Sequence, residues 1–266
     1  MKTMKKLLAC ALALLMMLSC TAMFASCGEK VITVGYTIYE PMNYKDAEGN
    51  LVGFDTELAE AVFKELGYKV IFKEIKWENK YTELESGAID CIWNGFTANT
   101  SDDDGVARAD KVDFSYNYMR NKQVVVVKTG TEATDANSLS GKTGAAEIGS
   151  AGESYAKDTF KGATIKGVTK QIDALMEVNS GTADFAILDE QLAKSYCGKG
   201  DYKNLTIVEE LSSNEEFYAI GFKKGSDLTA KVNEQLVALA KNGTIAKLAE
   251  KYGVKNTAIT DFSDQK

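Results

Sequence analysis

The sequence predicts an α/β protein made of two similarly built halves, and three observations carry that prediction. Strand-like and helix-like segments alternate along nearly the whole chain, the order from which helix-covered sheets are made. The phrase Ser-Gly-x-x-Asp stands at Ser86–Asp90 and again, 94 residues later, at Ser180–Asp184. Each copy follows a helix-like stretch and precedes an apolar strand-like one. At 266 residues the chain has room for two domains of modest size.

The elements follow in order. Val31–Gly35 reads as a short buried strand. Asp55 is placed to N-cap a helix carrying Leu58, Ala61, Val62 and Leu66 at helical spacing, with Gly67 as its stop. Val70–Ile75 is the next strand, Lys80–Ser86 a helix ended by Gly87, and Ile89–Trp93 a strand. Gln123–Lys128 and Lys142–Ala146 are apolar strands. Helices are expected near Gly152–Phe160, Ile172–Ser180 and Glu190–Tyr196, and strands at Phe185–Leu188, Leu205–Val208 and Tyr218–Phe222. Asp227 opens a long helix through Leu228, Val232, Leu236 and Leu239, and Thr244–Tyr252 closes the chain. With Pro41 the single proline, glycine supplies nearly all the punctuation.

The N-terminus predicts export. Lys2, Lys5 and Lys6 precede the apolar run Leu7–Leu18, the layout of a secretory signal peptide, and the run is shorter than the ~20 residues that span a bilayer. Phe24-Ala25-Ser26-Cys27-Gly28 resembles the lipobox of bacterial lipoproteins, which implies cleavage before Cys27 and its lipidation. Met17-Leu18-Ser19-Cys20 is a weaker competitor. Without residues 1–26 the chain keeps 28 basic against 38 acidic residues. A net negative surface repels phosphate backbones, so nucleic acid is not an expected partner. The absence of histidine excludes His-dependent triads, imidazole metal ligands and His general bases. No cofactor or metal is expected. Cys91 and Cys197 lack framework spacing and read as buried free thiols.

Gly141-Lys142-Thr143 is not a phosphate loop, because Ala136 stands where a glycine is required. Asp102–Asp104 lacks the spacing of a calcium loop and reads as a solvated acidic turn. In open α/β sheets ligands sit beyond the carboxyl ends of strands. That rule selects Tyr36, Tyr39 and Pro41, then Asn94–Thr97, then Glu147–Gly152, then Asp189.

Several of these positions fall within a wider pattern. Gly49, Gly53-Phe54-Asp55, Leu58-Ala59, Gly67, Trp77, Leu84, Gly87, Asp90, Asn94-Gly95-Phe96-Thr97 and Val112-Asp113-Phe114-Ser115 together resemble the family-3 extracellular solute-binding proteins, the amino-acid receptors of ABC importers. The resemblance implies a two-lobed periplasmic-binding-protein fold of type II, each lobe a central sheet flanked by helices, joined by two hinge strands near Tyr118–Lys122 and Asn214–Tyr218. Residues 1–26 would be the lipoprotein signal, 28–118 with 219–266 the first lobe, and 119–218 the second.

Carried residue by residue, the resemblance implies an amino-acid clamp. Arg108, six residues before Phe114, would grip the ligand carboxylate; it stands in a longer loop than the family's, with no Glu before it. Only Arg108 and Arg120 are arginines, and a guanidinium offers the fork that a carboxylate fits. Asp189 would accept the α-ammonium, its competing role being a helix N-cap. Gly95 and Thr97 would meet the α-groups, and Ser150 with Ala151 would meet the carboxylate at a helix N-terminus. Tyr36, Tyr39, Trp77 and Glu147 would surround the ligand side chain, or pack the core and point outward. The resemblance implies a non-enzymatic, monomeric protein, tethered outside the membrane by its lipid and partnered by an ABC permease. Its rivals are a sensor domain with the same ligand and a cyclic-acid dehydratase on the same scaffold.

Overall fold

The computed structural model describes residues 29–265. The expected signal segment and Cys27 lie outside the described residues, as do Cys10 and Cys20.

Strand β1 (Lys30–Tyr36) is followed by a small hairpin, β2 (Tyr44–Lys45) and β3 (Leu51–Val52), and by helix α1 (Phe54–Glu65). Then come β4 (Tyr68–Glu74), α2 (Lys80–Glu85), β5 (Cys91–Ile92), the one-turn α3 (Arg108–Lys111) and β6 (Asp113–Phe114). Strand β7 (Met119–Asn121) leads into β8 (Gln123–Lys128), β9 (Thr143–Glu147), α4 (Ala151–Thr159), β10 (Thr164–Val168), α5 (Gln171–Ser180), β11 (Phe185–Asp189), α6 (Glu190–Tyr196) and β12 (Leu205–Val208). The chain ends with β13 (Glu216–Tyr218), β14 (Gly221–Phe222), α7 (Leu228–Lys241) and α8 (Thr244–Lys251).

Two five-stranded sheets result, ordered β4-β1-β5-β14-β6 and β10-β9-β11-β8-β12. The chain runs from the first to the second through β7 and returns through β13. Those two strands pair antiparallel, Phe217 opposite Arg120. The Val124–Val127 run is buried throughout because both faces of β8 are covered. Val124 and Val126 share a core with Ala174, Leu175 and Val178 of α5, while Val125 and Val127 meet Ala156 of α4 and Phe160. The strand period of two divides one apolar run between two cores.

Two helix starts differ from expectation. Helix α1 begins at Phe54, with Gly53 at the cap position, so Asp55 falls inside the first turn. Its Oδ2 instead accepts from the Gly95 backbone N–H at 2.8 Å and from the Tyr118 hydroxyl at 2.9 Å. Asp227 occupies the cap of α7, but its carboxylate pairs with Lys231 rather than with helix N–H groups. Strand β10 was not foreseen, since Thr164–Val168 carries glycine and lysine on an edge. Cys91 is a buried free thiol; Cys197 is free but only partly buried. Among the described residues no helix is long and apolar enough to cross a membrane.

Candidate functional site

The ends of β5 and β9, the start of α3 and the end of β11 converge on one small pocket. About 250 Å³ of space lies between its atoms, and its walls stand almost in contact, since Arg108 and Lys80 reach the Gly149 carbonyl of the facing side at 3.3 and 3.0 Å. Trp77, Gly95, Thr97 and Arg108 line it from the first sheet's side. Glu147, Ser150, Ala151 and Asp189 line it from the second. A wider open trough outside it, lined by Asn99–Asp103 and by Ser154 and Lys157, carries exposed charges and lacks the convergent buried groups of the inner pocket.

Arg108 is 1% exposed. Its Nε donates to Asp102 Oδ1 at 2.8 Å and its Nη1 to the Thr97 carbonyl at 3.2 Å. Nη2 reaches the Gly149 carbonyl of the β9–α4 turn at 3.3 Å. The guanidinium also lies over the Phe96 ring, 5.2 Å from its centre. Asp102 is the orienting partner that sequence reasoning placed in solvent. Its carboxylate is 13% exposed and also accepts from Tyr81 and Lys111. Burial alone would raise its pKa, but Arg108 and these donors overcome that and pull it down to about 2.

Asp189 ends β11 at the cap position of α6, yet its side chain makes no cap hydrogen bond. It accepts instead from Asn121 at 2.7 Å, Gln123 at 2.6 Å and Gln171 at 2.5 Å. Burial raises its pKa and these amide donors oppose the rise. Behind it, Glu216 Oε2 accepts from Gln123 at 2.9 Å and from Thr97 Oγ1 at 3.2 Å. Burial, with the Asp189 charge, pushes Glu216 up to about 7.

Ser150 caps α4, its Oγ accepting from the Glu153 N–H at 3.0 Å, so the helix's unpaired N–H groups open beside the pocket. Gly95 has φ +56°, and a Cβ there would stand 2.6 Å from the Tyr39 ring. Trp77 meets Phe96 edge-on at 5.3 Å. Glu147 is buried, and its Oε1 has no hydrogen-bond partner.

Tyr36 and Tyr39 do not line the pocket. Tyr36 packs edge-on against Phe72, and the buried Tyr39 hydroxyl bonds that of Tyr218 at 2.7 Å. Asn94, two residues past β5, lines the pocket. Its amide spans Thr37 and Asn43. Asn94 and Gln171 line the pocket although neither was given a ligand role from the sequence. The strand-end rule reached Asn94; Gln171 follows β10 and was hidden with it. Among the described residues no group of three or more His, Cys, Asp or Glu side chains is disposed to hold a metal ion.

Residues 32–255 match the model of the bacterial extracellular solute-binding proteins, family 3. The chain is similar to the arginine-binding extracellular protein ArtP of Bacillus subtilis (strain 168), 29% identical over 85% of this chain and 87% of that one. It is 32% identical to the L-cystine-binding protein TcyA of the same organism, over 84% and 81% of the two chains. A solved substrate-binding protein of an ABC uptake transporter from Streptococcus pneumoniae, with bound histidine, superposes with TM-score 0.76 at 30% identity, covering 86% of this chain and 94% of that one. With two sheets, a paired return strand and this match across most of its length, the chain belongs to the bacterial extracellular solute-binding proteins, family 3, and has their two-lobed fold.

Proposed function

We propose that this protein captures a free amino acid in the pocket lined by Arg108 and Asp189 and delivers it to an ABC importer. One observation carries the reading: a buried guanidinium and a buried carboxylate, each held by side-chain partners, line the same pocket from elements of two different sheets. An α-amino acid carries one charge for each. The Arg108 fork and the Ser150 helix start suit its carboxylate, and Asp189 suits its ammonium. Because the pocket walls stand nearly in contact, the lobes separate to admit the ligand, and contacts made on both sides favour the closed form. Relatives named for arginine, cystine and histidine support an amino acid as the ligand.

The same reading makes Cys27 the lipidated residue, holding a monomeric body on the outer face of the membrane beside its permease. It assigns no catalytic turnover to the site, with Glu147 and Asp189 serving as ligand contacts.

Calorimetry with the proteinogenic amino acids tests the reading. At least one binds, and its methyl ester and its N-acetyl derivative, each lacking one α-charge, bind at least ~100-fold more weakly, the scale of truncating a buried charge pair. Equal affinity for acid and ester would remove Arg108 from the site.

A further inference from the structure

With the two α-charges assigned as above, a third ionisable side chain in the pocket wall is left over. Glu147 is the last residue of β9 and 3% exposed, and its Oε1 has no hydrogen-bond partner. Its neighbour Ala146 points to the opposite core, among Val125, Val127 and Ala156. The strand alternation therefore turns Glu147 toward the pocket.

The charged groups around Glu147 do not answer it. Asp189 of β11 and Asp173 of α5 repel a negative charge there, and burial with the Asp189 charge pushes the Glu147 carboxyl well above the ordinary glutamate range. Lys170, ahead of α5, is engaged with Glu74 at 2.7 Å. Of the cations that oppose this rise, Lys80 of α2 acts most strongly. Its Nζ donates to the Gly149 carbonyl at 3.0 Å and lies 4.7 and 5.1 Å from the rings of Tyr81 and Trp77. Burial, aided by the Arg108 charge, holds Lys80 down to about 7, so it supplies only part of a charge. A buried carboxylate with an orphan oxygen is costly, and an apolar side chain of similar size would serve the fold better.

We infer that Glu147 receives a positive charge on the ligand's side chain, so that the protein selects amino acids whose side chain is a guanidinium or a primary ammonium over neutral and acidic ones. The indole of Trp77 lines the same pocket, and an aromatic wall favours a cation. This inference rests on the proposed amino-acid site and adds the class of side chain that the site takes.

Matched pairs of ligands test it by calorimetry on the full chain: L-arginine against L-citrulline, and L-lysine against Nε-acetyl-L-lysine. In each pair the shape is kept and the charge removed. For at least one pair the cationic member binds ~100-fold or more tightly than its neutral twin, as for a desolvated charge pair. Glu147→Gln, which keeps the side chain's shape and removes its charge, reduces that preference below ~5-fold. Absence of preference in both pairs for the unaltered protein, or an unchanged preference in Glu147→Gln, overturns the inference, and the first result does so even if the variant fails to fold. If neutral amino acids bind tightly without such preference, the amino-acid site stands and this inference falls. If no amino acid binds, both fall together.

Discussion

Asp102→Asn tests how the buried Arg108 is held. The substitution keeps the shape of the side chain and one acceptor oxygen but removes the charge facing the Arg108 Nε at 2.8 Å and the Lys111 Nζ at 2.9 Å. Asp102 titrates near 2 against an ordinary 3.8. At ~1.4 kcal/mol per unit this ties about 2 kcal/mol of folding stability to its ionised form at neutral pH. The folded value is the lower one, so that stability is present above about 3.8 and is lost as pH falls toward about 2. At pH 3 roughly half of it, about 1 kcal/mol, remains. Urea melts of the unliganded protein should therefore show Asp102→Asn less stable by about 2 kcal/mol at pH 7, equivalent to a Tm lower by about 4–8 °C for a body of this size, and by about 1 kcal/mol at pH 3. The neighbouring Asp103→Asn, at a half-exposed position, serves as the control and changes stability by less than ~0.5 kcal/mol. A loss equal at pH 7 and pH 3, or one matched by the control, would refute the claim that Asp102 acts through its charge on Arg108.

Three further outcomes follow from the same contacts. Asp55 is buried and pushed up to about 7, burial outweighing its bonds from Gly95 and Tyr118, so its stabilising contribution is complete below about 3.8 and is lost as pH rises toward about 7. Asp55→Asn should flatten the fall in stability between pH 4 and pH 7, by up to about 4 kcal/mol in melts across that range. Gly95→Ala places a Cβ 2.6 Å from the Tyr39 ring at a positive φ. It should lower stability by about 1–3 kcal/mol and weaken ligand binding, read by thermal melting and calorimetry. Asp103 pairs with Lys157 and accepts from Ser154 Oγ at 2.9 Å, joining the loop before α3 to α4. Asp103→Ala should speed ligand dissociation several-fold in stopped flow at low salt, with the difference vanishing near 1 M salt, where the screening length falls to ~3 Å.

Much of this protein was legible before its structure. The valine run of β8, the helix of Glu190–Tyr196 and the glycine stop after α1 are local matters, fixed by periodicity and by the few residues that tolerate a left-handed turn. The strand-end rule found seven of the pocket's lining residues because β5, β9 and β11 end in the sequence where they end in space, and the family resemblance added Trp77 and Arg108. It also offered Tyr36 and Tyr39, which leave the pocket for Phe72 and Tyr218, since an aromatic ring takes whichever apolar wall is nearest.

The roles of charges were a different matter. Asp55 and Asp102 are an ordinary capping residue and an ordinary acidic turn by spacing, and both prove to be covered carboxylates holding groups far along the chain: Asp55 reaches Tyr118, and Asp102 shares Arg108 with the Gly149 turn of the second sheet. Asn121, Gln123 and Gln171 carry no signal of their own, yet they converge on Asp189 from three elements. The sequence by itself determined the α/β alternation, the strand ends and the residue types offered there, because those depend on neighbours within a few positions. Only the tertiary structure decided which charges are buried and what answers them, because desolvation and hydrogen bonding are properties of the space around a group, and that space is filled by residues tens to more than a hundred positions away.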